Sequence, residues 1–166
     1  MKKVWKFLYD IKDYIIILLV VILVRSFLFT PARVNGASMN NTLQDGQIVI
    51  LNKINMTIKD PSRFQIVVIN NRKDNDRIIK RVIGLPNEKI EYKDNSLYVN
   101  GELIIEDYEH GLTEDFVYNT HDDEYFVLGD NRTVSKDSRY LGAFHKKDIL
   151  GSVQLRLYPF NKIGRI

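Results

Sequence analysis

Ser38, Lys80 and the run from Gly129 to Arg139 carry the reactive groups of this chain. Ser38 stands in Gly36-Ala-Ser38-Met-Asn-Asn-Thr-Leu43, and Lys80 in Ile78-Ile-Lys80-Arg81-Val-Ile-Gly84-Leu-Pro86. The third run reads Gly129-Asp130-Asn-Arg132-Thr-Val-Ser135-Lys-Asp137-Ser138-Arg139. A serine hydroxyl is a poor nucleophile until a neighbouring base takes its proton. His110, His121 and His145 sit in no recognisable motif, and Asn40 breaks the Gly-x-Ser-x-Gly pattern at its last position. Lysine is the alternative base, but its ordinary pKa of about 10.4 must fall several units before it is usefully neutral. Desolvation by apolar neighbours lowers it. On a strand, Lys80 shares a face with Ile78 and Val82, while Arg81 projects the other way with Ile79 and Ile83. The chemistry these groups suit is acyl transfer through a serine ester.

Those groups need a scaffold, and the composition bounds it. At 166 residues the chain holds one domain with a sizeable core. A net charge of +3 with scattered basic residues gives no footprint for nucleic acid. The absence of cysteine excludes disulfides, thiolate zinc sites and a cysteine nucleophile, and the separated histidines have no metal-ligand spacing.

Tyr14 to Val24 is uninterruptedly apolar and is followed by Arg25-Ser26 and Phe27-Leu-Phe29. With Arg25 snorkelling, residues 13–30 reach the length of a transmembrane anchor. Lys2, Lys3, Lys6 and Lys12 precede it, so residues 1–12 are expected in the cytoplasm and 31–166 outside. Trp5, Tyr9, Tyr14, Phe27 and Phe29 suit the two membrane interfaces. A cleaved leader is the competing reading, weakened because no Ala-x-Ala site follows the run. A buried core helix is the third, weakened by the lack of any polar face between Ile15 and Val24.

Beyond Pro31 the pattern becomes mostly β. Strands are predicted at 47–51, 65–69, 77–83, 125–128 and 152–158 from β-branched or alternating residues. Lys89–Tyr92, Ser96–Val99 and Glu102–Ile105 read as a β-ribbon, because Asn100-Gly101 between alternating strands signals a tight hairpin. Residues 106–124 are polar and acidic and read as a solvated loop.

Taken together, the three motifs resemble the bacterial type I signal peptidases, membrane-anchored serine–lysine proteases, over nearly the whole chain. Leu97-Tyr-Val-Asn-Gly101 and Leu157-Tyr-Pro-Phe160 add to the likeness. The resemblance implies an anchored β domain with a ribbon insertion, no cofactor, and cleavage of signal peptides from exported preproteins after Ala-x-Ala-like sequences. It implies Ser38 as nucleophile, Lys80 as general base, and Ser135 hydrogen-bonded to the lysine ammonium. Asp130 would pair with Arg81 and Asp137 with Arg139, while the Ser38 backbone N–H would serve the oxyanion. Substrate would add as a strand against Arg33, Val34 and Asn35 on one side and Ile78 and Ile79 on the other. A related possibility is an assembly factor for surface structures such as pili, binding a subunit without cutting it.

The chain departs from the family pattern at several places. Asn41 stands where proline is usual, Asn87 where glycine is usual, and Gln65 near a usual aspartate. Losing the proline should loosen the loop after Ser38 by about 0.4–1 kcal/mol of unfolded-state entropy. Gly36 stands where some members carry a hydroxyl as second oxyanion donor, which leaves that donor unassigned.

Overall fold

A computed structural model describes residues 11–22, 29–54 and 59–166. Alternating and β-branched segments form twelve strands: β1 Phe29–Arg33, β2 Ile48–Asn52, β3 Ile66–Asn71, β4 Asp76–Gly84, β5 Lys89–Lys93, β6 Ser96–Val99, β7 Glu102–Ile104, β8 Phe116–Asn119, β9 Glu124–Leu128, β10 Phe144–His145, β11 Ile149–Tyr158 and β12 Gly164–Arg165. One sheet runs β1-β2-β11-β3-β4-β9-β10, with β12 alongside β11, and a second runs β7-β6-β5-β8. The second sheet is the expected ribbon plus a strand. Asp94-Asn95 and Asn100-Gly101 all take positive φ, as tight hairpin turns require.

Alternation within the strands builds three packed clusters. Val34, Met39 and Leu43 pack with Val49, Leu51, Ile66 and Val68 under the serine-bearing turn. Val67, Ile69, Val82 and Val127 form a second cluster under β3 and β4. Ile83, Ile90, Tyr92, Leu97 and Phe126 join the two sheets. At Gly84 an added Cβ would lie 2.5 Å from Ile90 Cδ1, so this junction needs a residue without a side chain.

Pairing of β4 changes along its length, and this matters for the site. Asp76 through Arg81 pair with β3, whereas β9 joins the other side only from Arg81 onward. The outer side of Asp76–Lys80 therefore carries no strand among the described residues. β1 is likewise paired only through β2. Residues of both open edges line common cavities, including one of about 560 Å³ bounded by Ala32, Arg33, Leu51, Val68, Arg77 and Ile79.

Several expectations need correction. Residues 106–124 are not a simple solvated loop: β8 lies within them, and Phe116 and Tyr118 pack on the ribbon core. The predicted anchor ends too late, since Phe29 and Thr30 pair with Asn52 and Leu51 in β1. Residues 11–22 are helical, and Tyr14 to Ile22 are exposed apolar side chains. Among the described residues no helix is long and apolar enough to cross a membrane. Lys2, Lys3, Trp5, Lys6, Tyr9, Arg25 and Phe27 lie outside the described residues.

Candidate active site

The turn bearing Ser38 is shaped by its neighbours. Val34 N–H donates to Gln47 O at 2.8 Å and prolongs the edge beyond β1, after which Gly36 reverses the chain with φ of +84°. The Gly36 N–H donates to Asp45 Oδ1 at 2.8 Å and is engaged within the turn. Met39 and Leu43, 1% and 0% exposed, fix the turn on the core. Asn131 N–H then donates to Ser38 O at 3.0 Å, joining this turn to the polar loop that follows β9.

Lys80 reaches the same place from β4. Its Nζ donates to Ser38 Oγ at 2.7 Å, across 42 positions of sequence, and the residue is only 3% exposed. Burial drives its pKa down from 10.5 to about 8, against the opposing pull of the Asp137, Asp130 and Asp76 carboxylates. A useful fraction of the amine is therefore neutral near physiological pH.

The next residue points the opposite way. Arg81 donates from Nε to Asp130 Oδ1 at 2.8 Å and from Nη2 to Asp130 Oδ2 at 2.6 Å, a two-pronged pair with Asp130 fully buried. Thr42 Oγ1 also donates to Asp130 and accepts from Arg81 Nη2, which ties the end of the serine turn to this pair. Arg139 forms a second such pair with Asp137, at 2.9 Å from both Nε and Nη2. Asp137 also accepts from Gly129 N–H at 3.1 Å and caps the short helix Ser138–Leu141.

One predicted contact is not formed. Ser135 does not hydrogen-bond Lys80; its Oγ is buried and has no hydrogen-bond partner among the described residues. The loop presses Ser135 against Gly129, where an added Cβ would lie 2.2 Å from that oxygen. Gly129 must be glycine to admit both Ser135 and the Ser38 carbonyl.

The predicted strand-binding residues do come together. Arg33, Val34, Asn35, Ile78 and Ile79 line one narrow cavity of about 110 Å³ with Ser38 and Lys80.

Sequence reasoning missed Thr42, Glu106, Tyr108 and Thr113. Arg132 is fully enclosed, and its five N–H groups meet five acceptors: Gly129 O, Tyr92 Oη, Thr113 Oγ1, Glu106 Oε1 and Tyr108 Oη. The Tyr108 ring also lies 3.9 Å beneath the Arg81 guanidinium carbon. Only the Thr42-Leu43 part of the serine motif hinted at any of these partners.

A desolvated lysine thus touches a serine on a β scaffold, beside two strand edges that carry no partner strand among the described residues. Comparison with known proteins gives the family. Residues 8–158 match the family described as signal peptidase, peptidase S26. Signal peptidase I of Bacillus amyloliquefaciens is 41% identical over 167 residues, covering 93% of this chain and 89% of the relative. Signal peptidase IB of Staphylococcus aureus strain N315 is 36% identical, covering 86% and 85% of the two chains. The crystal structure of a signal peptidase I from Enterococcus faecalis V583 superposes with a TM-score of 0.53 at 36% identity, over 57% of this chain and 97% of that one. The chain belongs to the signal peptidase family, peptidase S26, and is a serine endopeptidase.

Proposed function

We propose that this protein removes signal peptides from exported preproteins, with Ser38 as nucleophile and Lys80 as general base. The preprotein lies as an extended strand between Arg33–Asn35 and Ile78–Ile79, bonding through its backbone to the two unpaired edges. Neutral Lys80 takes the Ser38 proton as Oγ attacks the carbonyl before the cut. Collapse of the tetrahedral intermediate expels the mature protein's amine, which leaves with that proton, and the signal peptide stays as an ester on Ser38. Lys80 then deprotonates a water that hydrolyses the ester. Asp130–Arg81 and Asp137–Arg139 hold the loop after β9, which abuts the Ser38 turn, against the strand that carries Lys80.

An anchor that starts near residue 13 and ends before β1 keeps the β domain on the outer face of the plasma membrane, close to where the apolar part of a signal peptide emerges from the bilayer. The exposed apolar residues from Tyr14 to Ile22 support it. Proximity of this kind raises effective concentration without changing the chemistry.

The observation behind the assignment is the 2.7 Å contact between Lys80 Nζ and Ser38 Oγ at a buried lysine. The same contact favours cutting over mere subunit binding, which needs no activated hydroxyl. The test is to incubate the full chain in detergent micelles with a preprotein carrying an Ala-x-Ala site and sequence the N-terminus of the product. Cleavage after the second alanine is expected, with Ser38→Ala and Lys80→Ala each slower by at least about a thousandfold. Equal rates in wild type and both variants would remove the assignment.

A further inference from the structure

The peptide bond between Ala37 and Ser38 is gripped by its oxygen. Asn131 Nδ2 donates to Ala37 O at 3.2 Å, and the Asn131 backbone N–H donates to the next carbonyl, Ser38 O, at 3.0 Å. Asn40 N–H supplies a second bond to Ala37 O, at 3.1 Å from within the turn. Thr133 sets the direction of the Asn131 amide, since its Oγ1 donates to Asn131 Oδ1 at 3.0 Å. With its oxygen engaged there, the amide offers Ala37 a donor and not a second acceptor.

The consequence falls on the other end of the same peptide. This peptide is trans, so it is planar and its C=O and N–H point in opposite directions. Fixing Ala37 O therefore fixes the Ser38 N–H, which is directed away from the Asn131 side chain. Among the described residues that N–H makes no hydrogen bond. Ala37 and Ser38 line a cavity of about 360 Å³ with Lys80, and Asn131 is not part of its wall. A hydrogen bond to a carbonyl also polarises the amide and strengthens its N–H as a donor.

We propose that Asn131 is a positioning residue for the cleavage reaction. Through the Ala37 carbonyl it aims the Ser38 N–H at the oxygen that becomes negative as Ser38 Oγ attacks. The inference rests on the cleavage described under the proposed function. Asn131 makes no hydrogen bond to Lys80 and acts only through the peptide plane. Its loss leaves substrate binding and the lysine proton as they are and weakens only the charged intermediate.

The test uses the full chain in detergent micelles with an Ala-x-Ala peptide, comparing wild type with Asn131→Ala and Thr133→Val. Both variants keep the backbone bond from residue 131 to Ser38 O and the bond from Asn40, so the turn persists and its aim loosens. For Asn131→Ala, kcat should fall about ten- to hundredfold, short of the roughly hundred- to thousandfold for deleting an oxyanion donor outright. KM should stay within about twofold, and kcat/KM should level off at the wild-type pH. Thr133→Val, which frees the amide to turn, should lower kcat by a smaller factor.

A peptide aldehyde ending in alanine supplies the readout specific to the oxyanion. Ser38 Oγ bonds to its carbonyl carbon, the C=O π pair moves to the oxygen, and the serine proton passes to Lys80. Its inhibition constant should rise in Asn131→Ala by the factor lost from kcat, while the matching peptide alcohol binds both enzymes alike. An unchanged kcat, a loss confined to KM, a shifted pH profile, or equal weakening of aldehyde and alcohol overturns the role of Asn131 and leaves the protease reading intact. If Asn131→Ala melts far below wild type, Thr133→Val decides, and a wild-type kcat there overturns the role. A wild type that cuts no peptide removes the protease reading and this inference together.

Discussion

Lys80 and Arg81 are adjacent on β4, yet their charges go to opposite faces: the amine contacts Ser38, and the guanidinium is clamped on Asp130. Strand alternation alone produces this separation. It keeps a permanent cation off the face where the proposed base has to lose its proton, while the guanidinium fixes the loop that abuts Ser38.

The clamp should be visible in stability. Asp130 is fully buried, so Arg81→Met strands a carboxylate without its cation. Breaking a buried pair from one side costs about 3–5 kcal/mol. Urea unfolding should show a loss of that order for Arg81→Met, and the double variant Arg81→Met with Asp130→Asn should recover part of it. A loss below about 1 kcal/mol, within the range of an exposed pair, would contradict the clamp.

Glu106 supplies a pH-dependent counterpart. Burial pushes its carboxyl up, but the Arg132 charge and hydrogen bonds from Tyr108, Arg132 and Tyr92 outweigh this and hold it below 4.5. The folded state thus binds this proton less readily than the unfolded chain. The resulting stability is present above pH of about 4.5 and is lost as pH falls through the folded-state value. Glu106→Gln should unfold at lower urea than wild type at pH 7, by about 1–3 kcal/mol. The gap should close in acid; a gap that widens there would contradict the assignment.

Asn41 changes the meaning of the missing proline. Its φ is +86°, whereas proline is confined to about −65°. The loop after Ser38 is therefore shaped for a left-handed residue, which the expectation of simple loosening did not capture. Asn41→Pro should destabilise by more than about 1 kcal/mol, while Asn41→Gly should be neutral or slightly stabilising. Thermal unfolding of both variants separates these outcomes. Asn87 follows the same logic: at φ of +61° it holds a conformation in which glycine is the least strained residue.

Much of this architecture is legible in the sequence. Strands β2 to β7, β9 and β11 follow from alternation and β-branching, and the Asn100-Gly101 hairpin from turn chemistry. The facing of Lys80 and Arg81 follows from the two-residue period. β1 is hidden because Phe29 and Thr30 continue an apolar run that reads as anchor. β8 is hidden in an acidic stretch because only Phe116 and Tyr118 are apolar on its inward face, and their burial depends on β5 as a partner. The cage around Arg132 draws on Tyr92, 40 positions away, and on Glu106, 26 positions away, a pairing that no local pattern encodes. The missing bond at Ser135 depends on backbone approach at Gly129, which composition does not report.

The claim that matters most is that a neutral Lys80 activates Ser38, and kcat/KM as a function of pH tests it directly. With the full chain and an Ala-x-Ala peptide, the proposal predicts a rise of about tenfold per pH unit in acid that levels off near pH 8, the value to which burial brings the amine. Lys80→Arg, which stays charged throughout, should be inactive across the range. A profile flat from pH of about 6 to 10, or Lys80→Arg cutting at the wild-type rate, would contradict it.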